Sequence, residues 1–208
     1  RGVLTNGPYR FTRHPAYIST NLFWWLSTMP FLVVNASAND AVRNVLGLLR
    51  GSTRPDEAVV YMAHWDHLGN HQGEGHADAA PAASGDAAAD TIYNGAVDNA
   101  TGVAAVIELA RVFAAGPRPR RTLLFMALTA EEKGLQGATF YAANPLVPLA
   151  KTAAVLNIEM LSPDGPNRDI ASWGNGRVSL EDDLKRVAQA HGRTYSPDPN
   201  LEAGFFYR

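Results

Sequence analysis

The chain has 208 residues, 46% of them hydrophobic, with 18 basic and 20 acidic side chains and a formal net charge of -2. That is enough apolar material for one substantial core, and the near balance of charge gives a nucleic acid no footing. Cysteine is absent, which excludes disulfides and thiolate metal sites, so a metal would have to be held by histidine and carboxylate.

The first 38 residues differ in character from the rest. Arg1, Arg10, Arg13 and His14 precede any acidic residue, and Leu22 to Val34 is almost wholly apolar. A basic flank ahead of an apolar stretch reads as membrane-directed. Residues 17–34 are borderline for a span, which needs about 20 apolar residues. With Ala36-Ser37-Ala38 behind them they suit a signal peptide equally well. The expectation is a membrane-associated or secretion segment over 1–38, with a main domain over 39–208 placed outside the cytoplasm.

Further along, the apolar runs Ala58 to Ala63, Leu123 to Leu128 and Ala153 to Ile158 are short, partly β-branched and bounded by polar or turn residues, as buried strands are. The stretch from Gln72 to Asp90, rich in Ala, Gly and Asp, reads as a long loop, and His71 and His76 around its start as solvated loop histidines. Val103, Val106, Ile107, Ala110 and Phe113 form one face of a helix ending near Gly116. Ser179 and Asp182 have the spacing of a capping box, and Leu180, Leu184, Val187 and His191 give a second amphipathic helix ending at Gly192. His191 belongs to the last turn or the surface. Strands alternating with helices predict a three-layer α/β domain.

The chemistry lies where these elements end. Glu131 and Glu132 close the run Leu123 to Leu128, and ionised groups beside a core are costly unless something positive pairs with them. Neighbouring side chains on an extended segment point opposite ways, so one glutamate can hold a metal while the other faces the cavity as a base. His64 supplies an imidazole of the kind zinc prefers, and Asp66 is spaced to accept the proton on its other ring nitrogen. Asp98 offers two oxygens and can bridge two cations. Each feature alone has a plainer reading: His-x-Asp as a surface hydrogen bond, Ala-Glu-Glu as the acidic first turn of a helix. Their ordered recurrence at strand ends favours a metallohydrolase, because open α/β sheets gather their ligands at that edge.

Met62 to Gly69, Tyr93 to Gly102 and Thr129 to Gly137 together resemble the co-catalytic zinc aminopeptidases of the bacterial leucyl aminopeptidase and glutamate carboxypeptidase type, from about Asn44 to Arg208. The resemblance implies a three-layer α/β/α fold on a mixed central sheet, two zinc ions and a peptide substrate. It implies His64 as a ligand of one zinc, Asp98 as the bridge, Glu131 as general base, Glu132 as a ligand of the other zinc and Asp66 as orienter of His64. It also implies a cis peptide at Asp98-Asn99. Two departures stand out. Asn157-Ile158-Glu159-Met160 carries glutamate where the family has aspartate, so Glu159 is carried over as a ligand with a side chain about 1.5 Å longer. The chain stops at Gly204 to Arg208, where the family continues into Ser-Asp-His and its last zinc ligand. On that expectation the fold is C-terminally incomplete, one zinc keeps only Asp98 and Glu132, and metal binding is weak. A non-catalytic binding member of the same fold and a glutaminyl-cyclase-like transferase with one zinc are the alternatives. Separately, Asn6 to Tyr17 resembles a short piece of isoprenylcysteine carboxyl methyltransferase-like membrane proteins, too little to imply methyl transfer.

Overall fold

The structure, a computed structural model, describes residues 43–69, 93–162, 165–172 and 179–197, together with the backbone of 32–36. These residues fall into two compact units, one running to Leu161 and the other beginning at Ser162.

The first unit is built on a five-stranded sheet. Its strands are β1 (Leu32–Ala36), β2 (Arg43–Leu49), β3 (Arg54–His64), β4 (Arg121–Leu128) and β5 (Thr152–Asn157), in the spatial order β1-β2-β4-β3-β5. β3 pairs parallel with β4 and with β5, whereas β2 pairs antiparallel with β1 and β4, so the sheet is mixed as expected. The three strands expected from apolar runs are β3, β4 and β5, with β3 starting earlier, at Arg54; β5 is not buried as expected, because it lies at the sheet edge with Val155 and Leu156 exposed. β4 explains its own unbroken apolar run: it is central, covered on both faces, and every residue from Thr122 to Leu128 is buried.

Two helices supply the outer layers. α1 (Gly102–Ala115) places Val103, Val106 and Ala110 against Leu49, Ala63, Leu123 and Phe125. Tyr61, Phe113 and Phe125 form an aromatic group there, with Tyr61 and Phe125 stacked at 5.7 Å. Burial of a side chain such as Phe125 stabilises the fold by roughly 1.5–3 kcal/mol. On the other face α2 (Gln136–Ala143) packs Tyr141 and Ala138 on Leu46, Val60, Leu124, Met126 and Leu128. The result is the predicted helix, sheet, helix sandwich.

Two further findings differ from the sequence reading. Leu32 to Val34, the end of the apolar run taken for a membrane segment, lie in β1 and pair with β2. The rest of that run lies outside the described residues, as do Asn6 to Tyr17, His71, His76 and Gln72 to Asp90. No helix among the described residues is long and apolar enough to cross a membrane. In the second unit β6 (Asp169–Ala171) and β7 (Thr194–Ser196) pair in parallel across α3 (Leu180–Ala190). The capping box at its start does not form. Ser179 is itself in a helical conformation and makes no side-chain cap bond, so the acidic first turn of Glu181, Asp182 and Asp183 is left to favour the helix N-terminus electrostatically. His191 is exposed just past the helix, as expected.

Asn44 ties the sheet to the segment that follows β4. Fully buried in β2, it donates through Nδ2 to the Gly137 carbonyl (2.8 Å), and its Oδ1 accepts from the Thr129 N–H (3.2 Å). Gly137 must be glycine, since a Cβ there would lie 2.4 Å from the Thr129 carbonyl oxygen. Asn44→Leu takes the acceptor from the Thr129 N–H and the side-chain donor from the Gly137 carbonyl, and urea unfolding should show a loss of about 1–3 kcal/mol.

Candidate metal centre

The parallel strands β3, β4 and β5 end side by side, with His64 in register with Leu128 and Met62 with Asn157. Every candidate residue of the sequence reading is found at or just beyond that edge. His64 is the last residue of β3 and is 2% exposed. Asp98 sits in the short turn Ala96–Thr101 ahead of α1, where the Asp98-Asn99 peptide is cis. Glu131 and Glu132 follow β4, and Glu159 follows β5.

Buried Asn99 locks these ends together. Its Nδ2 donates to the Ile158 carbonyl (3.0 Å), and its Oδ1 accepts from the backbone N–H of Gly102 (3.0 Å) and Met160 (3.3 Å). Gly102 is required by this closeness, because a Cβ there would sit 2.3 Å from Asn99 Oδ1. The segment bearing Asp98 is thus fixed to the segment bearing Glu159.

The tautomer of His64 follows from its neighbours. Nδ1 lies 3.0 Å from the Asp66 backbone carbonyl, which can only accept, so Nδ1 carries the proton. Nε2 is then bare in the neutral ring. It nevertheless faces two carboxylate oxygens, Asp98 Oδ1 at 3.0 Å and Glu159 Oε1 at 3.2 Å. Asp98 Oδ1 is buried and has no hydrogen-bond partner among the described residues. Two carboxylate oxygens at this spacing from Nε2 need positive charge among them, either a proton on that nitrogen or a metal cation. Burial alone would lower the His64 pKa, but the Asp66 carbonyl and the charges of Glu131, Asp98 and Asp66 outweigh it and raise the ring above its ordinary value. A divalent metal meets the same demand more fully. Four ligands about 2.0–2.1 Å from a tetrahedral zinc lie about 3.3 Å from one another, close to the separations found here.

Asp66 does a different job from the one its spacing suggested. Its carboxylate stands 3.8 Å from His64 Nδ1, and the His64 ring is oriented by the Asp66 carbonyl instead. The carboxylate oxygens are occupied elsewhere: Oδ1 accepts from the Glu131 N–H (3.0 Å) and Oδ2 from the Glu132 N–H (3.2 Å). This explains why Glu131 and Glu132 are neither on a strand nor in the first turn of a helix. β4 stops at Leu128, α2 begins at Gln136, and the intervening loop turns through positive φ at Ala130, Gly134 and Leu135. Asp66→Asn puts an amide NH2 against one of the two backbone donors. It should free the Glu131 and Glu132 amides to exchange faster with solvent and weaken zinc binding by about 10–100-fold, as loss of an outer-shell partner does.

The residue that the sequence reading passed over is His67. Its Nδ1 lies 2.7 Å from Glu132 Oε1 and 3.8 Å from Asp98 Oδ2. Among the described residues, two groups could hold a metal ion: His64, Asp98 and Glu159, and His67, Asp98 and Glu132. They share Asp98. His67 thus stands beside the pair Asp98 and Glu132, to which the sequence reading gave no imidazole. The only sequence signal for it was its position, one residue past Asp66 in the segment leaving β3.

Glu131 is partly buried beside both groups. Burial first, then the charges of Glu159, Glu132 and Asp66, push its carboxyl above the ordinary value, against the opposing pull of His64.

Residues 44–208 match peptidase family M28, which is more than half of the chain, and the chain belongs to that family. Among relatives, it is 32% identical over 181 residues to aminopeptidase NAALADL1 of Mus musculus, covering 76% of this chain and 21% of that protein. It is 32% identical over 120 residues to a probable zinc metalloprotease of Pyrenophora teres f. teres, covering 58% of this chain and 23% of that protein. The chain thus spans about a quarter or less of these relatives' lengths. Among solved structures, a zinc aminopeptidase from Bacillus subtilis superposes with a TM-score of 0.54 at 21% identity, over 78% of this chain and 38% of that one. The glutaminyl cyclase of Porphyromonas gingivalis superposes with a TM-score of 0.62 at 18% identity, over 93% and 69%. Both likenesses bear on the fold alone.

Proposed function

We propose that the chain is a zinc-dependent aminopeptidase that hydrolyses N-terminal residues from peptides, with two metal positions sharing Asp98. The observation that carries this reading is Nε2 of buried His64 facing both Oδ1 of Asp98 and Oε1 of Glu159, at 3.0 and 3.2 Å. His64, Asp98 and Glu159 would hold one zinc; Asp98 and Glu132 would hold the other. Zinc, when bound, supplies Lewis acidity that acidifies water and polarises the scissile carbonyl.

The chain's own part is positioning and proton transfer. Glu131, held by the Asp66 carboxylate through its backbone N–H, takes a proton from the attacking water as its oxygen bonds to the carbonyl carbon. The C–N bond then breaks, and Glu131 returns that proton to the departing amine. A carboxyl raised above its ordinary value is a better match to this shuttle at neutral pH than a free glutamate. Family membership and the resemblance to an aminopeptidase support the peptide substrate.

Chelator treatment tests the proposal. Activity on aminoacyl anilides should vanish when metal is stripped and return on adding zinc; activity that survives complete stripping would contradict it.

A further inference from the structure

We propose that His67 is a metal ligand, completing a three-residue position with Asp98 and Glu132. The inference rests on the metal-centre reading above and goes beyond it by assigning a residue that the family motif does not use.

Three observations converge. Nδ1 of His67 faces oxygens of both carboxylates, Glu132 Oε1 at 2.7 Å and Asp98 Oδ2 at 3.8 Å. A proton on Nδ1 can satisfy Glu132 alone, since 3.8 Å is beyond a hydrogen bond, whereas a cation between them satisfies all three groups. The ring is also held by its surroundings. Tyr93 meets it edge-on at 5.9 Å, and a Cβ at Gly95 would lie 3.1 Å from the His67 Cβ, so the absence of a side chain at Gly95 leaves the space that the imidazole needs. Gly95 has φ +63, which glycine adopts without cost. Finally, the Tyr93 N–H donates to the Gly69 carbonyl (2.8 Å), closing the base of the loop that carries His67 onto the segment that carries Asp98. A histidine that served only to pair Glu132 would not need the second carboxylate on the same nitrogen.

The experiment compares the full chain with His67→Phe and His67→Ala, first by zinc titration in a calorimeter and then by proton NMR of the cobalt(II)-loaded proteins. Phenylalanine keeps the ring against Tyr93 and Gly95 and removes the nitrogen, so it separates ligation from packing. The unmodified chain should take two zinc ions. Both variants should keep the ion at the His64 position and bind the other more weakly, by more than the 10–100-fold that an outer-shell partner is worth. With cobalt(II), the unmodified chain should give two strongly shifted imidazole N–H resonances, from His64 and His67, and His67→Phe one. Two zinc ions bound with unchanged affinity in His67→Phe, or a single shifted imidazole resonance in the unmodified chain with two metals bound, overturns the role of His67 and leaves the metal centre standing. A chain that binds no metal overturns both.

Discussion

Glu131→Gln should lower kcat by about 10²–10⁴ while the chain keeps its full complement of zinc, because the change removes a proton carrier and none of the ligands. Glutamine retains the length and one carbonyl oxygen of glutamate, and the backbone N–H on which Asp66 acts is untouched, so the loop stays in place. The same variant should behave in the opposite sense in the stability of metal-free protein. Burial raises the Glu131 carboxyl on folding, with Glu159, Glu132 and Asp66 adding to it against His64, so the folded chain binds more protons than the unfolded one. Stability is then lost as pH rises from the unfolded value of 4.5 through the higher folded one. Near neutral pH the metal-free Glu131→Gln protein should melt higher than the unmodified chain, on the order of a few degrees, and the gap should close toward pH 4. Thermal melts across that range, beside zinc analysis and kinetics, check both halves. Retention of activity within tenfold would remove Glu131 from the base role.

The second large effect belongs to Asp98. Its Oδ1 lies 3.0 Å from His64 Nε2, and its Oδ2 faces His67, so the two oxygens of one carboxylate serve the two groups. Asp98→Ala should therefore lose both zinc ions together and bring hydrolysis to background. Glu132→Ala belongs to one group only and should weaken one ion while the His64 position still fills. Zinc per chain after dialysis against a weak chelator distinguishes them, and equal losses in the two variants would count against a shared Asp98.

Much of this centre was readable from the residues because its parts sit where apolar runs stop. His64 ends β3, Glu131 and Glu132 follow β4, and Glu159 follows β5, so reading the strands also locates the ligands. α1 was readable for the same reason, through the 3.6-residue spacing of Val103, Val106 and Ala110. What escaped is what depends on tertiary contact. His67 follows no periodic pattern, and only the return of the chain at Tyr93 and Gly95 sets its ring against Glu132. Asp66 was given the His64 proton on spacing, but the loop after β4 brings two backbone donors to its carboxylate and leaves its carbonyl for the ring. β1 was masked by an apolar composition that suits a membrane segment as well as a strand. β2 carries Asn44 among Val45, Leu46 and Leu48, and only the fold shows that this asparagine is buried to hold Thr129 and Gly137.

The most direct measurement is the mass of the products formed from a peptide with an N-terminal glutamine, incubated with the zinc-loaded chain and with its chelated counterpart. Metal-dependent aminopeptidase action predicts free glutamine and a peptide shorter by one residue, formed with uptake of one water and only when zinc is present. A peptide of unchanged length that has lost ammonia, or an intact peptide in the presence of two bound zinc ions, would contradict it.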